Sequence, residues 1–140
     1  MQKILGMGNA IVDVLIQIDN DLLLDQLGLP KGSMQLVDTN FIEKNVPLLK
    51  QYKKHMATGG SAANTISGLA KLGVATGFIG KIGEDEAGTF FKSDSLKSGI
   101  NTHLQRSKNL SGQCLVLISP DGERTMCTFL GAACELTAND

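Results

Sequence analysis

Residues 59–64, Gly-Gly-Ser-Ala-Ala-Asn, stand directly before an apolar helical pattern that closes at Gly73. The two glycines let the backbone come close to whatever lies opposite. The first turn of the following helix presents unpaired N–H groups and the positive end of the helix dipole. Such a junction suits a hydroxylated or anionic small molecule. It also has a plainer reading, a tight turn capped by Ser61 with Asn64 as a solvated polar residue.

The surrounding pattern places this junction in an α/β chain. Lys3 to Ile18 reads as one long strand, bent near Gly8. Leu22 to Leu29 fits either helix or strand, and Met34–Val37 reads as a short strand. Asp38 or Thr39 can cap a helix carrying Phe41, Ile42 and Val46, with Pro47 expected to kink or divide it. Ala62, Ala63, Ile66, Leu69 and Ala70 share one helical face. Ala75–Ile79 is the next strand, and Asp85 caps a helix reaching about Ser98, with Ala87, Phe90 and Phe91 inward. Ile100 to Arg106 follows as a strand. Gln113–Ile118 and Arg124–Phe129 flank Pro120-Asp121-Gly122, a hairpin signal. Alternating strand and helix argue for a parallel sheet covered by helices. The hairpin adds antiparallel structure. Thr137 to Asp140 reads as the start of a capped segment, so the chain is expected to be part of something longer.

Composition narrows the function classes. A net charge of -1 over 140 residues offers no footprint for nucleic acid or an acidic membrane. No apolar run suffices for a membrane span, and no signal-peptide pattern begins the chain. Cys114, Cys127 and Cys134 form an odd set without a Cys-x-x-Cys, which fits a reducing cytoplasm. His55 and His103 are far from them in sequence, which disfavours a zinc site.

Gly6-Met7-Gly8 follows a strand, but Ile11 stands where a dinucleotide fingerprint needs its third glycine. Gly80-Lys81 lacks the opening glycine of a P-loop, and Ile82 replaces its Ser or Thr. Asp13 is the sharper signal, because a period of two puts it on one strand face with Ile11 and Leu15. A carboxylate there needs hydrogen-bond donors. Backbone N–H groups or water at a strand edge are one source, and two hydroxyls of a sugar are another. Asp13, Gly59-Gly60 and Asn64 together describe a polyol pocket. Arg124 reads alone as a solvated hairpin residue, and Lys81, Glu84 and Asp85 as a loop with a helix cap.

Gly59–Thr65, Leu72-Gly73 and Phe78–Gly88 together resemble the N-terminal signature of the ribokinase-like (PfkB) carbohydrate and nucleoside kinases. Gly8–Asp13 is similar to that family's first strand. Gly122–Met126 and Leu130–Ala133 resemble its adenosine-kinase-like branch. The resemblance covers essentially the whole chain. It implies the N-terminal part of a Rossmann-type α/β/α sandwich with a small β-sheet lid, formed as a single incomplete domain over 1–140 with lid strands near 8–18, 33–37 and 112–130. It implies that Asp13 accepts sugar hydroxyls, and that Gly59, Gly60 and Asn64 contact the same sugar. Asn9 and Ser61 would approach base or sugar, while Met34, Leu36, Leu130 and Ala132 would form an apolar wall. Arg124 matches a basic residue that approaches the transferred phosphoryl group. The family's second signature, a Thr-x-Gly-Ala-Gly-Asp-like motif with the general base and nucleotide site, has no counterpart in these 140 residues.

The resemblance therefore implies the substrate-binding and lid half of a cytoplasmic kinase. That kinase would use ATP and Mg2+ to phosphorylate a primary hydroxyl of adenosine or a ribose-like sugar. Neither cofactor is expected to bind this part tightly, and no metal site is expected within it. The lid strands offer a route to a homodimer. The rival readings are a non-catalytic sugar- or nucleoside-binding module, and a self-associating lid protein without a ligand.

Overall fold

A computed structural model describes residues 3–140, and it breaks the first expected strand in two. β1 runs Lys3–Met7 and β2 runs Ile11–Gln17, and they belong to different sheets. The other elements are α1 Leu22–Leu27, β3 Met34–Leu36, α2 Thr39–Leu49, β4 Lys54–Gly59, α3 Ser61–Lys71 and β5 Ala75–Gly83. They are followed by α4 Glu86–Lys97, β6 Asn101–Ser107, β7 Gly112–Ile118, β8 Arg124–Phe129 and a 3-10 turn Gly131–Glu135. The chain divides into two compact units. One holds 1–12, 58–113 and 130–140, and the other 13–57 and 114–129.

The first unit is built on a parallel sheet in the order β1-β5-β6, with Lys3 beside Ala75 and Gly77 beside Asn101. Parallel pairing follows from the helical crossovers between its strands. β5 outruns its expected end at Ile79 by four residues, so Lys81 is a strand residue rather than part of a loop. α3 packs on β1 and β5. The approach depends on Gly6, where a methyl group would stand 2.4 Å from Ile66 Cγ1. α4 carries Phe91, whose ring meets Phe78 of β5 at 5.6 Å between centroids. Asp85 caps α4 as expected, accepting from the Gly88 N–H at 2.8 Å. It also accepts from the Ser111 N–H at 2.8 Å and the Ser111 hydroxyl at 2.6 Å. Phe90, expected inward, is only half-buried.

The second unit contains most of a five-stranded sheet in the order β3-β8-β7-β2-β4. β3 pairs in parallel with β8, setting Met34 beside Met126 and Leu36 beside Thr128. β7 and β8 form the expected hairpin, with the Ser119 N–H donating to the Glu123 carbonyl at 2.9 Å. Val14, Ile16, Leu115, Leu117, Thr125, Cys127 and Phe129 form the buried side of these strands. The ambiguous Leu22–Leu29 segment contains α1, which buries Leu23, Leu24 and Leu27 and ends at left-handed Gly28. Asp38 caps α2 by accepting from the Phe41 N–H at 2.8 Å. Pro47 does not divide α2. It lies two residues before the helix ends at Leu49, and its carbonyl accepts from the Lys50 N–H at 3.3 Å.

Candidate functional site

In the first unit, the glycine junction has the geometry its sequence asks for. Gly60 is the residue before α3 and has φ +90 and ψ 134, a conformation open to glycine and strained for other residues. A methyl group on it would stand 2.7 Å from the carbonyl oxygen of Asn9. Gly59 is buried and Gly60 half-buried. Ser61 does not cap the helix. It is the first helical residue, its side chain makes no cap bond, and its carbonyl accepts from Thr65 Oγ1 at 2.9 Å. Asn64 is exposed in the first turn, its N–H donating to the Gly60 carbonyl at 2.9 Å.

Asn9 itself is exposed just past the carboxyl end of β1, where open parallel sheets characteristically receive ligands. A cavity of about 400 Å³ opens there, lined by Met7, Gly8 and Asn9 on one side and Ala133, Cys134 and Leu136 on the other. Leu130 is half-buried. Ala132 is 0% exposed, and its N–H donates to the Leu110 carbonyl at 2.8 Å. The Ala132 methyl is therefore fully buried. Lys81 Nζ donates to Asp140 Oδ1 at 2.6 Å, which ties the 135–140 segment to β5.

In the second unit, four residues singled out in the sequence fall on one sheet face. The residues of β8 alternate, with Thr125, Cys127 and Phe129 buried and Arg124, Met126 and Thr128 on the more open side. Thr128 Oγ1 donates to Cys114 Sγ at 3.4 Å, so Cys114 of β7 lies on that open side too. Counting outward from the Ser119–Glu123 bond gives the same pairing and sets Ile118 opposite Arg124. The parallel register of β3 then adds Leu36 beside Thr128 and Met34 beside Met126. Asp13, half-buried on β2 next to β7, completes the row, and its charge helps raise the Cys114 thiol.

The open face thus carries an Asp13–Cys114–Thr128–Leu36 row, with Met126 and Met34 behind it and Arg124 at the end of its strand. Met34 and Leu36 are 68% and 72% exposed, an unusual expense for apolar side chains. Burial pushes the Asp13 carboxyl above its ordinary value. Burial is also the main cause raising the Cys114 thiol, which Thr128 partly offsets. Burial pushes the Cys127 thiol to about 11. Both thiols are therefore neutral structural groups rather than nucleophiles. Arg124 is exposed.

Cys114, Met126 and Thr128 were not anticipated as members of a site. The hairpin turn could have found Cys114 and Thr128, since counting outward from Asp121 sets one opposite the other. Among the described residues, no three His, Cys, Asp or Glu side chains gather as metal ligands. No described helix is long and apolar enough to cross a membrane.

Residues 32–140 match the pfkB family of carbohydrate kinases. The chain is 42% identical over 66 residues to a 5-dehydro-2-deoxygluconokinase of Bacillus subtilis (strain 168), covering 47% of this chain and 20% of that protein. It is 25% identical over 134 residues to adenosine kinase 2 of Arabidopsis thaliana, covering 93% of this chain and 38% of the relative. The adenosine kinase of Sinorhizobium meliloti superposes with TM-score 0.79 at 33% identity, covering 99% of this chain and 42% of that one. The adenosine kinase of Schistosoma mansoni in complex with adenosine gives TM-score 0.83 at 26% identity, covering 97% and 40%. The chain spans between 20% and 42% of the length of these relatives.

Proposed function

Because this chain belongs to the pfkB family of carbohydrate kinases, with the ribokinase-like α/β fold of adenosine kinases, we propose that it is the substrate-capturing part of an ATP-dependent sugar or nucleoside kinase. The acceptor is a primary hydroxyl of adenosine or a ribose-like sugar.

Asp13 carries the reading. Its carboxyl is half-buried on an open face otherwise furnished with apolar and weakly polar groups. Such a carboxylate gains from donors that a ligand brings, and paired sugar hydroxyls are suitable donors. Within the first unit, the Gly60 backbone, Asn64, Asn9 and Ser61 offer polar groups to a sugar or base, with Gly59 shaping the turn and Leu130 adding an apolar side chain. Within the second unit, Met34 and Leu36 give an apolar wall suited to a base or ring. The strands around 8–18, 33–37 and 112–130 serve as a lid that excludes water from the substrate, and their edges suit pairing with a second copy.

The exposed Arg124 guanidinium fits a phosphate, because it is a cation free to meet an anion on an open surface. When bound, ATP would supply the γ-phosphoryl group to the substrate hydroxyl oxygen, ADP leaving as the bond to the bridging oxygen breaks and the hydroxyl proton being released. Arg124 then offsets the negative charge spread over the transferring group.

Calorimetric titration of adenosine and ribose into the full-length polypeptide tests the capture role. Asp13→Asn should weaken binding of the true substrate while ATP binding stays within about twofold, since charge-assisted bonds to substrate alone are lost. Equal affinity of wild type and variant for every sugar and nucleoside would remove the reading.

A further inference from the structure

Lys31 lies off the open face, yet it ties the segment entering β3 to the turn entering β8. Its Nζ donates to Asp21 Oδ2 at 2.8 Å and to Asp121 Oδ2 at 2.6 Å. Asp21 also accepts from the Ser119 hydroxyl at 2.7 Å, at the other end of the same turn. Asp121 accepts from the Glu123 N–H at 3.1 Å. Just beyond Lys31, the Gly32 N–H donates to Oγ1 of the fully buried Thr125 at 2.9 Å. The Met126 N–H donates to the Ser33 carbonyl at 2.8 Å.

These bonds bracket Arg124 from Ser119 to Met126, while the Arg124 side chain itself stays exposed. An isolated exposed ion pair stabilises a fold very little. One ammonium held between two carboxylates, each of which also accepts from the turn, defines a geometry instead. The turn closes on its own backbone, the Gly122 N–H donating to the Ser119 carbonyl at 2.9 Å, but residues 120–123 are all exposed, and the bonds of Lys31 and Ser119 to Asp21 tie the turn to the segment before β3.

We propose that Lys31 is a positioning residue, which by bridging Asp21 and Asp121 fixes the β7–β8 turn and so aims Arg124 at the transferring phosphoryl group. Lys31 touches no substrate and acts through Arg124 alone. The proposal rests on the phosphoryl role given to Arg124 above.

Steady-state kinetics on the full-length polypeptide test it with Lys31→Met, Lys31→Arg, Arg124→Ala and the Lys31→Met/Arg124→Ala double variant. Lys31→Met should lower kcat about tenfold, the scale of coupling within one bonded network, with the substrate KM little changed. Lys31→Arg should restore most of the loss, because a guanidinium can also bridge two carboxylates. In the Arg124→Ala background, Lys31→Met should cost nothing further. Asp121→Asn, which keeps the backbone bond to Glu123, should lower kcat less than Lys31→Met and keeps the test open should Lys31→Met fail to fold. A wild-type kcat in both Lys31→Met and Asp121→Asn overturns the proposal, as do additive losses in the double variant. A wild-type kcat in Arg124→Ala overturns the phosphoryl role of Arg124 itself, and the two failures are thereby told apart.

Discussion

The backbone of Gly60 lies so close to Asn9 that a single methyl group would stand 2.7 Å from the Asn9 carbonyl oxygen. That oxygen belongs to the main chain and cannot swing away. The glycine also holds φ +90, so a side chain there is strained as well as crowded. Gly60→Ala should therefore destabilise the fold by about 1–3 kcal/mol. Urea denaturation of the variant measures this, and a midpoint equal to wild type would show that the junction has room to spare.

Asp85 joins α4 to the segment before β7 through Gly88 and Ser111. Asp85→Ala removes the helix cap and leaves the Ser111 backbone N–H without its partner. A loss of about 1–3 kcal/mol should follow. Ser111→Ala keeps the cap but leaves the buried Gly83 N–H, which donates to Ser111 Oγ at 2.8 Å, without its partner. Urea denaturation measures both losses, and an Asp85→Ala variant as stable as wild type would mean that the cap contributes nothing.

Asp13 should trade stability for capture. Its folded carboxyl titrates above the ordinary value of 3.8 because burial disfavours the charge. The folded state then binds that proton more tightly than the unfolded chain does. Asp13 therefore costs stability above its raised pKa, and the cost disappears as pH falls through it. At neutral pH, Asp13→Asn should melt higher than wild type while capturing substrate less well. Below that raised pKa the two melting temperatures should converge. A variant that melts lower at neutral pH would contradict this assignment.

The Lys31 bridge should respond to acid in the opposite sense. Lys31 holds the Asp21 and Asp121 carboxyls below their ordinary value. Their contribution to stability is fully present above the ordinary carboxyl value and is lost as pH falls through the depressed ones. The difference in melting temperature between wild type and Lys31→Met should be constant near neutrality and vanish in strong acid. A difference that persists there would place its origin in packing instead of charge.

Local chemistry was legible in the sequence where it is decided locally. Asp38 and Asp85 could be read as caps because the acceptor is three residues from the N–H it serves. Gly60 could be read because glycine at a strand-to-helix junction has few other uses. Ser61 was misread as a cap because the turn ends one residue earlier, with Gly60 already in the boundary position. β5 was cut short because Gly80 and Gly83 resemble turn residues. They belong to the strand instead, and at Gly80 a methyl group would stand 3.2 Å from the Gly8 carbonyl oxygen. The open face was the least legible part. Cys114 and Thr128 face each other across one hairpin, but Asp13 and Leu36 stand far from them in sequence, and only the order β3-β8-β7-β2 sets all four in one row. Pairing order is a property of the folded sheet, and alternation within one strand carries no record of it.

The isolated 140 residues should not phosphorylate any sugar or nucleoside, because no Thr-x-Gly-Ala-Gly-Asp-like motif occurs among them. A radiolabelled-ATP assay measures this, with an Asp13→Asn preparation controlling for contaminating kinases. Turnover that disappears in that variant would show that the chain carries catalytic groups not recognised here.

The central claim is that Asp13 captures the acceptor of a phosphoryl transfer. The most direct measurement is kcat/KM of the full-length polypeptide for adenosine, ribose and fructose with Mg-ATP, taken for wild type and Asp13→Asn. The account predicts phosphorylation of at least one of them. It also predicts a fall in kcat/KM of about ten- to a hundredfold in the variant, matching the roughly 1.5–3 kcal/mol of a lost hydrogen bond to a charged group. Wild-type kcat/KM in Asp13→Asn, or phosphorylation of none of the three acceptors, would contradict it.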